Sequence, residues 1–410
     1  MSAREDAMPI DGTAEGSPLE VLRVFIKLGL TSFGGPIAHL GYFRDELVVR
    51  RKWIDEAGYA DLVALCQFLP GPASSQVGFS LGVLRGRGLA GGFAAWCAFT
   101  LPSALLLFAF ALGAAAFTGP VSEGLLHGLK LVAVAVVAQA IWGMAKSLTP
   151  DRERAGIALA AIAIVVFVGG SFGQIGAIAL GAAAGLYFCR ADAPALAGRL
   201  GFPVSRPAGA VALVLFAAFF LVPPLLANLT GLQGIALFDA FYRAGALVFG
   251  GGHVVLPLLQ AEVVAPGWVT NESFLAGYGL TQAVPAPLFT FAAYRGTVMT
   301  PAPNGSAGAI IALIAIFLPG LLLVYGMLPF WDGLRTRPEM QAAMRGANAA
   351  VVGILGAALY CPAWTSAVLS PPDFALALSG FLLLTVWKAP PWIIVLLLSA
   401  GAALLGVAGA

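Results

Sequence analysis

The chain has 410 residues, 60% of them hydrophobic and only 10% charged, with a formal net charge of +2 and a mean hydropathy of +0.91. A soluble domain of that composition would expose large apolar patches, so the composition excludes one and requires an integral membrane protein. So small a net charge steers no charged partner by itself, and no nucleic-acid-binding module is present.

Residues 1–17 form a polar tail without the apolar core of a cleaved secretory signal. Apolar segments follow near 18–43, 57–84, 89–118, 121–147, 155–170 and 173–189, and an equivalent six run from about 236 to 409. One further segment, 208–227, joins the two sets. Runs such as 93–117 reach the roughly 20 residues that a helix needs to cross about 30 Å of hydrocarbon. The expected fold class is therefore an all-α polytopic membrane protein. Cys66, Cys97, Cys189 and Cys361 stand singly in or beside apolar segments, which suits packing and offers no clustered metal ligands.

The first segment is interrupted at LGLTSFGGP, residues 28–36, and AGALVFGGG stands at 244–252. The likeness extends well beyond these glycines. Phe25, Gly29, Phe33, Gly34, Gly35, Leu40 and Glu46 recur as Phe241, Gly245, Phe249, Gly250, Gly251, Leu256 and Glu262 at one offset of 216 (250 − 34), with Arg243 at the place of Lys27. At an offset of 215 (268 − 53), Trp53, Leu65, Gln67, Pro70 and Pro72 fall on Trp268, Leu280, Gln282, Pro285 and Pro287. Farther on, Leu101-Pro102 falls on Leu318-Pro319. Such an ordered series marks a tandem duplication: a first repeat at 18–190, a linker with one extra transmembrane helix at 191–234, and a second repeat at 235–410. One added crossing reverses the orientation of all that follows, so the repeats are expected to be inverted.

Arginine and lysine gather at 44–56, 85–87, 146–154, 190–206 and 335–345, whereas 260–273 has neither and the other second-half counterpart carries only Arg295. Thirteen spanning segments would place 44–56 and 85–87 on opposite faces. If the first two segments of each half dip in and return as re-entrant hairpins, every basic loop falls on the cytoplasmic side. The hairpin reading is the better one. It leaves nine spanning helices, a cytoplasmic N-terminus and an extracytoplasmic C-terminus, and Arg50, Arg51 and Lys52 become an orientation signal.

Backbone that turns inside a membrane needs partners from protein or from water in a cavity, so such turns occur where a site is built. Paired glycines permit positive φ, Pro36 lacks an N–H, and a helix starting beyond the break presents free N–H groups and a partial positive charge to an anion. Gly34, Gly35 and Pro36 would meet Gly250 and Gly251 near the midplane. QFLPGPASSQVG, 67–78, is a second broken element: Gln67, Pro70, Gly71 and Pro72, then Ser74, Ser75 and Gln76, repeated in part as Gln282 and the prolines of QAVPAPLFT. Hydroxyl and amide donors there suit an oxyanion. Lys27 and Arg243 are the candidates for compensating its charge. Arg44, Glu46, Asp61 and Glu262 are candidates for coupling or gating, as ion pairs or proton carriers. His39 and His253 titrate in a useful range but have no metal-ligand spacing, and His127 reads as a surface residue.

At these residues a family resemblance enters. The run KLGLTSFGGPIAHLGYFRDELVVRRKWIDEAGYADLVALCQFLPGPASSQVG resembles the signature region of the bacterial chromate ion transporter family, in its two-domain, long-chain form. The resemblance implies a protein of the bacterial cytoplasmic membrane that expels chromate and confers resistance, with sulfate as the look-alike ion. It points to Gly34, Gly35, Pro36, Arg44, Pro70, Gly71 and Pro72. The second half departs from the pattern with FGGG at 249–252 and PAP at 285–287, which puts an equal contribution of the halves in doubt.

The function expected is a secondary transporter exporting chromate by alternating access, with no enzymatic activity and no cofactor. A sulfate importer or anion exchanger is the alternative, since both ions are tetrahedral dianions. An intramembrane lipid-phosphate enzyme is more remote, because no nucleophile-base pair or metal cluster stands out. The partners expected are the oxyanion and the lipid bilayer, with a homodimer left open.

Overall fold

The computed structural model describes residues 16–33, 35–114, 120–189, 202–249, 252–285, 287–334 and 337–408. These residues are almost wholly helical and contain no strand. In the first half the helices are α1 (Pro18–Thr31), α2 (Gly35–Phe43), α3 (Glu56–Phe68), α4 (Ala73–Arg85), α5 (Leu89–Ala114), α6 (Pro120–Leu148), α7 (Arg152–Val168) and α8 (Gly170–Phe188). The connecting helix is α9 (Arg206–Thr230). The second half has α10 (Gln233–Ala246), α11 (Val255–Val263), α12 (Asn271–Thr281), α13 (Phe291–Val298), α14 (Gly305–Met327), α15 (Trp331–Leu334), α16 (Pro338–Ala358), α17 (Thr365–Ala367), α18 (Pro371–Thr385) and α19 (Pro391–Ala408). Starts are marked as the sequence suggests: Ser17 accepts from the Glu20 amide, Asp55 from Gly58, Asp151 from Arg154 and Thr270 from Ser273.

Five of the described helices are long and apolar enough to cross a membrane: Leu89–Gly113, Val121–Leu148, Arg206–Thr230, Gly305–Phe330 and Pro338–Ala367. The paired short helices behave differently. Phe25 and Phe43 would stand about 27 Å apart on a straight helix, yet their ring centroids are 5.5 Å apart. Lys27 and Glu46 meet at 3.2 Å. The chain therefore folds back between α1 and α2.

The next pair does the same. Arg85, at the end of α4, lies 5.6 Å from the centroid of the Trp53 ring and pairs with Glu20 at 3.1 Å. Residues 20, 53 and 85 thus lie together, so the chain reverses within α1–α2 and again within α3–α4. In the second half the Thr300 amide donates to the Trp268 carbonyl at 3.0 Å, and so ties the two ends of the α12–α13 hairpin together.

The later helices interlock across the halves. Glycines let α6 lie directly on α19, where Gly124 and Gly128 face the backbone of Ala403 and Ser399, and let α8 lie on α16, where Gly181 and Gly185 face Gly346. The C-terminal helix pair of each half thus packs on the long helix of the other. The α18–α19 hairpin runs beside α6, with His127 and Asp373 joined at 2.7 Å near one end and the hairpin tip, residues 386–390, at the level of Gln139. His127 is thus a partner in an inter-half contact rather than a free surface residue.

Candidate functional site

The breaks in the two halves meet. The Gly71 amide donates to the Val248 carbonyl at 2.7 Å, and the Gln76 side chain donates to the carbonyls of Pro70 and Gly320, each at 3.0 Å. Gly71 has φ +123, and a Cβ there would stand 3.0 Å from the Gly320 Cα, so only glycine fits the turn. Reciprocally, the Ser103 hydroxyl donates to the Pro285 carbonyl. Each double-proline break is thus seated on the proline-interrupted helix of the opposite half, beside Pro319 or Pro102. At the same junction Pro36 faces Gly252, where a Cβ would come within 3.6 Å of the proline ring.

A cavity of about 440 Å³ opens beside this junction. Phe33, Gly35 and Tyr42 of the first hairpin line one side, and Val136 and Gln139 of α6 another. His253 and Gln282, from the two breaks of the second half, and Lys388 and Trp392, from the α18–α19 tip, complete the lining. Water occupies about 30 Å³ per molecule in the liquid, so a tetrahedral oxyanion fits with part of its hydration shell.

The chemistry of this lining suits an anion. Gly35 begins α2, so first-turn N–H groups and the positive end of the helix dipole lie at the cavity. Gln139 and Gln282 bring amide donors. His253 Nδ1 lies 2.6 Å from the Tyr278 hydroxyl; with that hydroxyl donating, Nε2 carries the proton. Lys388 brings the charge, and no carboxylate among the described residues pairs with it. Its φ is +53, because the Ala389 amide reaches back to the Leu383 carbonyl at 3.0 Å and closes α18 with a left-handed residue where glycine is usual.

Of the residues singled out from the sequence, Gly35, His253 and Gln282 line the cavity and Pro36 lies at the junction. Gly34, Gly250 and Gly251 lie outside the described residues. Pro70, Gly71, Pro72 and Gln76 build the turn on α14. Ser74 lies 3.4 Å from His39, both buried behind that turn, and the buried Ser75 hydroxyl has no partner among the described residues. Gln67 is exposed. Asp61 is buried on α3, and Glu262 is half-buried on α11.

The charged candidates go elsewhere. Glu46 gathers Lys27 at 3.2 Å, Arg50 at 2.8 Å and Arg51 at 2.9 Å. Burial opposes its charged form, but these three cations hold its carboxyl below the usual carboxylate range. Arg44 forks onto Glu56, which raises its already high pKa. Arg243 pairs with Asp239 one turn before it. Neither Lys27 nor Arg243 lines the cavity.

Sequence reasoning missed Lys388, Gln139, Tyr42 and Trp392. The signal for Lys388 was present, a cation between tryptophans and a Pro-Pro break in TVWKAPPW, 385–392. Arg295, counted above as a loop residue, is a correction: it sits in α13 and is fully buried. Among the described residues no group of three or more His, Cys, Asp or Glu could hold a metal.

The profile of the family described as Chromate transporter matches the chain twice, at residues 19–186 and 235–407. A chromate transport protein of Pseudomonas aeruginosa is 30% identical over 96% of this chain and 94% of its own length. One of Cupriavidus metallidurans is 29% identical over 97% of each chain. An uncharacterised transporter of Methanocaldococcus jannaschii is 27% identical over 83% of each. No solved structure matches the chain.

Proposed function

The chain belongs to the chromate transporter family, and from that membership we propose that it carries chromate out of the cytoplasm through the cavity between its halves. The observation that carries this reading is the cavity itself, where Lys388, Gln139, Gln282 and His253 converge beside the start of α2. Lys388 supplies the compensating charge, since Lys27 and Arg243 already hold carboxylates. The amides, the imidazole and the α2 N–H groups supply directed donors that replace lost hydration.

In this reading the cavity, lined by the exposed Tyr42 and Lys388, opens toward the basic loops, which the positive-inside rule assigns to the cytoplasm. The conformation is then open to the cytoplasm. In the other half, α8 and α11 are joined instead, the Gln174 side chain donating to the Pro257 carbonyl at 3.0 Å. Exchange of these two arrangements, with inverted repeats rocking about the junction, is alternating access. The reciprocal seating of the breaks supports that inversion.

Energetics favour export. One charge crossing 100 mV is worth about 2.3 kcal/mol, so a dianion leaving an inside-negative cell gains roughly 4.6 kcal/mol. The test is uptake of labelled chromate by inside-out vesicles under an imposed potential, with excess unlabelled sulfate. Uptake that rises with lumen-positive potential and withstands sulfate is expected. Uptake abolished by modest sulfate would move the substrate to sulfate, and absence of uptake above control vesicles would refute the reading.

A further inference from the structure

Arg295 is 0% exposed on α13. Its Nη2 donates to the carbonyls of Ser273, at 2.8 Å, and Phe274. The guanidinium carbon lies 4.3 Å from the ring centroid of Phe274, 4.4 Å from that of Phe291 and 5.0 Å from that of Tyr294. Among the described residues no carboxylate pairs with it, and its Nε and Nη1 have no hydrogen-bond partner. Ring faces and carbonyls offset part of the desolvation cost, yet an uncompensated charge inside a membrane protein is expensive and is retained for a task. Nε and Nη1 point apart, but once released from the two carbonyls Nη2 joins either of them in a planar fork that matches two oxygens of one oxyanion.

The position fits a step in transport. Tyr278 holds His253 of the cavity at 2.6 Å, Tyr278 packs edge-on to Phe291 at 5.8 Å, and Phe291 covers Arg295. Arg295 thus lies two side chains beyond the cavity wall, toward residue 299 and the start of α12, the end that the inverted-repeat reading assigns to the exterior. A guanidinium serving only to staple α12 to α13 would not need an unpaired Nε and Nη1.

We propose that Arg295 is a second anion-binding group, which takes the oxyanion on the exterior side of the cavity when the α12–α13 hairpin loosens. This rests on the oxyanion-carrier reading, and the test separates the two. Half-saturation for labelled chromate is measured from each side, in inside-out vesicles and, by counterflow against unlabelled chromate, in right-side-out vesicles. Losing a charge-assisted fork predicts that Arg295→Gln raises the exterior value about tenfold or more and leaves the cytoplasmic value within about twofold. Arg295→Lys keeps the charge without the fork and is expected to raise the exterior value about threefold; should Arg295→Gln fail to fold, this variant decides. Exterior values unchanged in the folded variants, or both sides shifted equally as a loosened fold would do, would overturn the proposal. Wild-type protein without counterflow would overturn the carrier reading and this inference with it, whereas failure of the inference alone leaves wild-type counterflow intact.

Discussion

Glu46 shows how one buried acid organises a basic surface. Its side chain is 8% exposed and holds Lys27, Arg50 and Arg51, so removing it leaves three neighbouring cations to repel. Because its folded pKa is lowered from 4.5, its contribution to stability is present above that value and is lost as pH falls through the lower one. The melting temperature of the wild type should fall with acidification below 4.5, and Glu46→Gln should cost about 2 kcal/mol at neutral pH and flatten that fall. A thermal melt series against pH checks both, and a parallel loss in the variant would remove Glu46 from the cause. Some of these pairings were legible and some were not. Asp239 and Arg243 are four residues apart on one helix, a spacing that announces their pairing. Lys27 and Glu46 are nineteen apart, and meet only because the chain reverses between α1 and α2.

The hairpins are the elements that build the site. That the helices break and the chain turns at these places was legible in the Gly-Gly and Pro-x-Pro runs, since such residues interrupt a membrane helix only where the freed groups find partners. The identity of those partners was not legible, because Gly71 meets Val248 and Gln76 meets Gly320 from opposite halves of the chain. Gly71→Ala must strain a φ of +123 and press a methyl group against the Gly320 backbone. A cost of about 2 kcal/mol or more is expected, with transport reduced more than abundance, as vesicle uptake normalised to protein would show. Normal transport in the variant would mean that the turn does not position the cavity. Lys388 escaped sequence reading for a related reason: it belongs to the hairpin of the second half that packs on α6 of the first, and no offset between repeats points there.

For the whole molecule, composition required a membrane bundle and the repeat register raised the expectation of a duplication, while the interlocking of the halves came only from the packing of α6 on α19 and α8 on α16. The arrangement has a topological consequence. In a background without the four cysteines, single cysteines at Lys52 and Arg87 should react with a membrane-impermeant maleimide from the cytoplasmic side, and one at Gly267 from the exterior. Residues 52 and 87 reacting from opposite sides would contradict the hairpins. In the proposed mechanism the cavity between the halves binds the transported oxyanion through Lys388. Lys388→Gly separates this role from folding, because glycine relieves the left-handed backbone at φ +53 and should leave the protein as stable or more so by about 1 kcal/mol. The most direct measurement is potential-driven uptake of labelled chromate by inside-out vesicles containing wild-type protein or Lys388→Gly at equal abundance. Uptake is expected in the wild type, with a loss of about tenfold or more in the folded variant; uptake unchanged by the substitution would rule out Lys388 as the anion-binding charge.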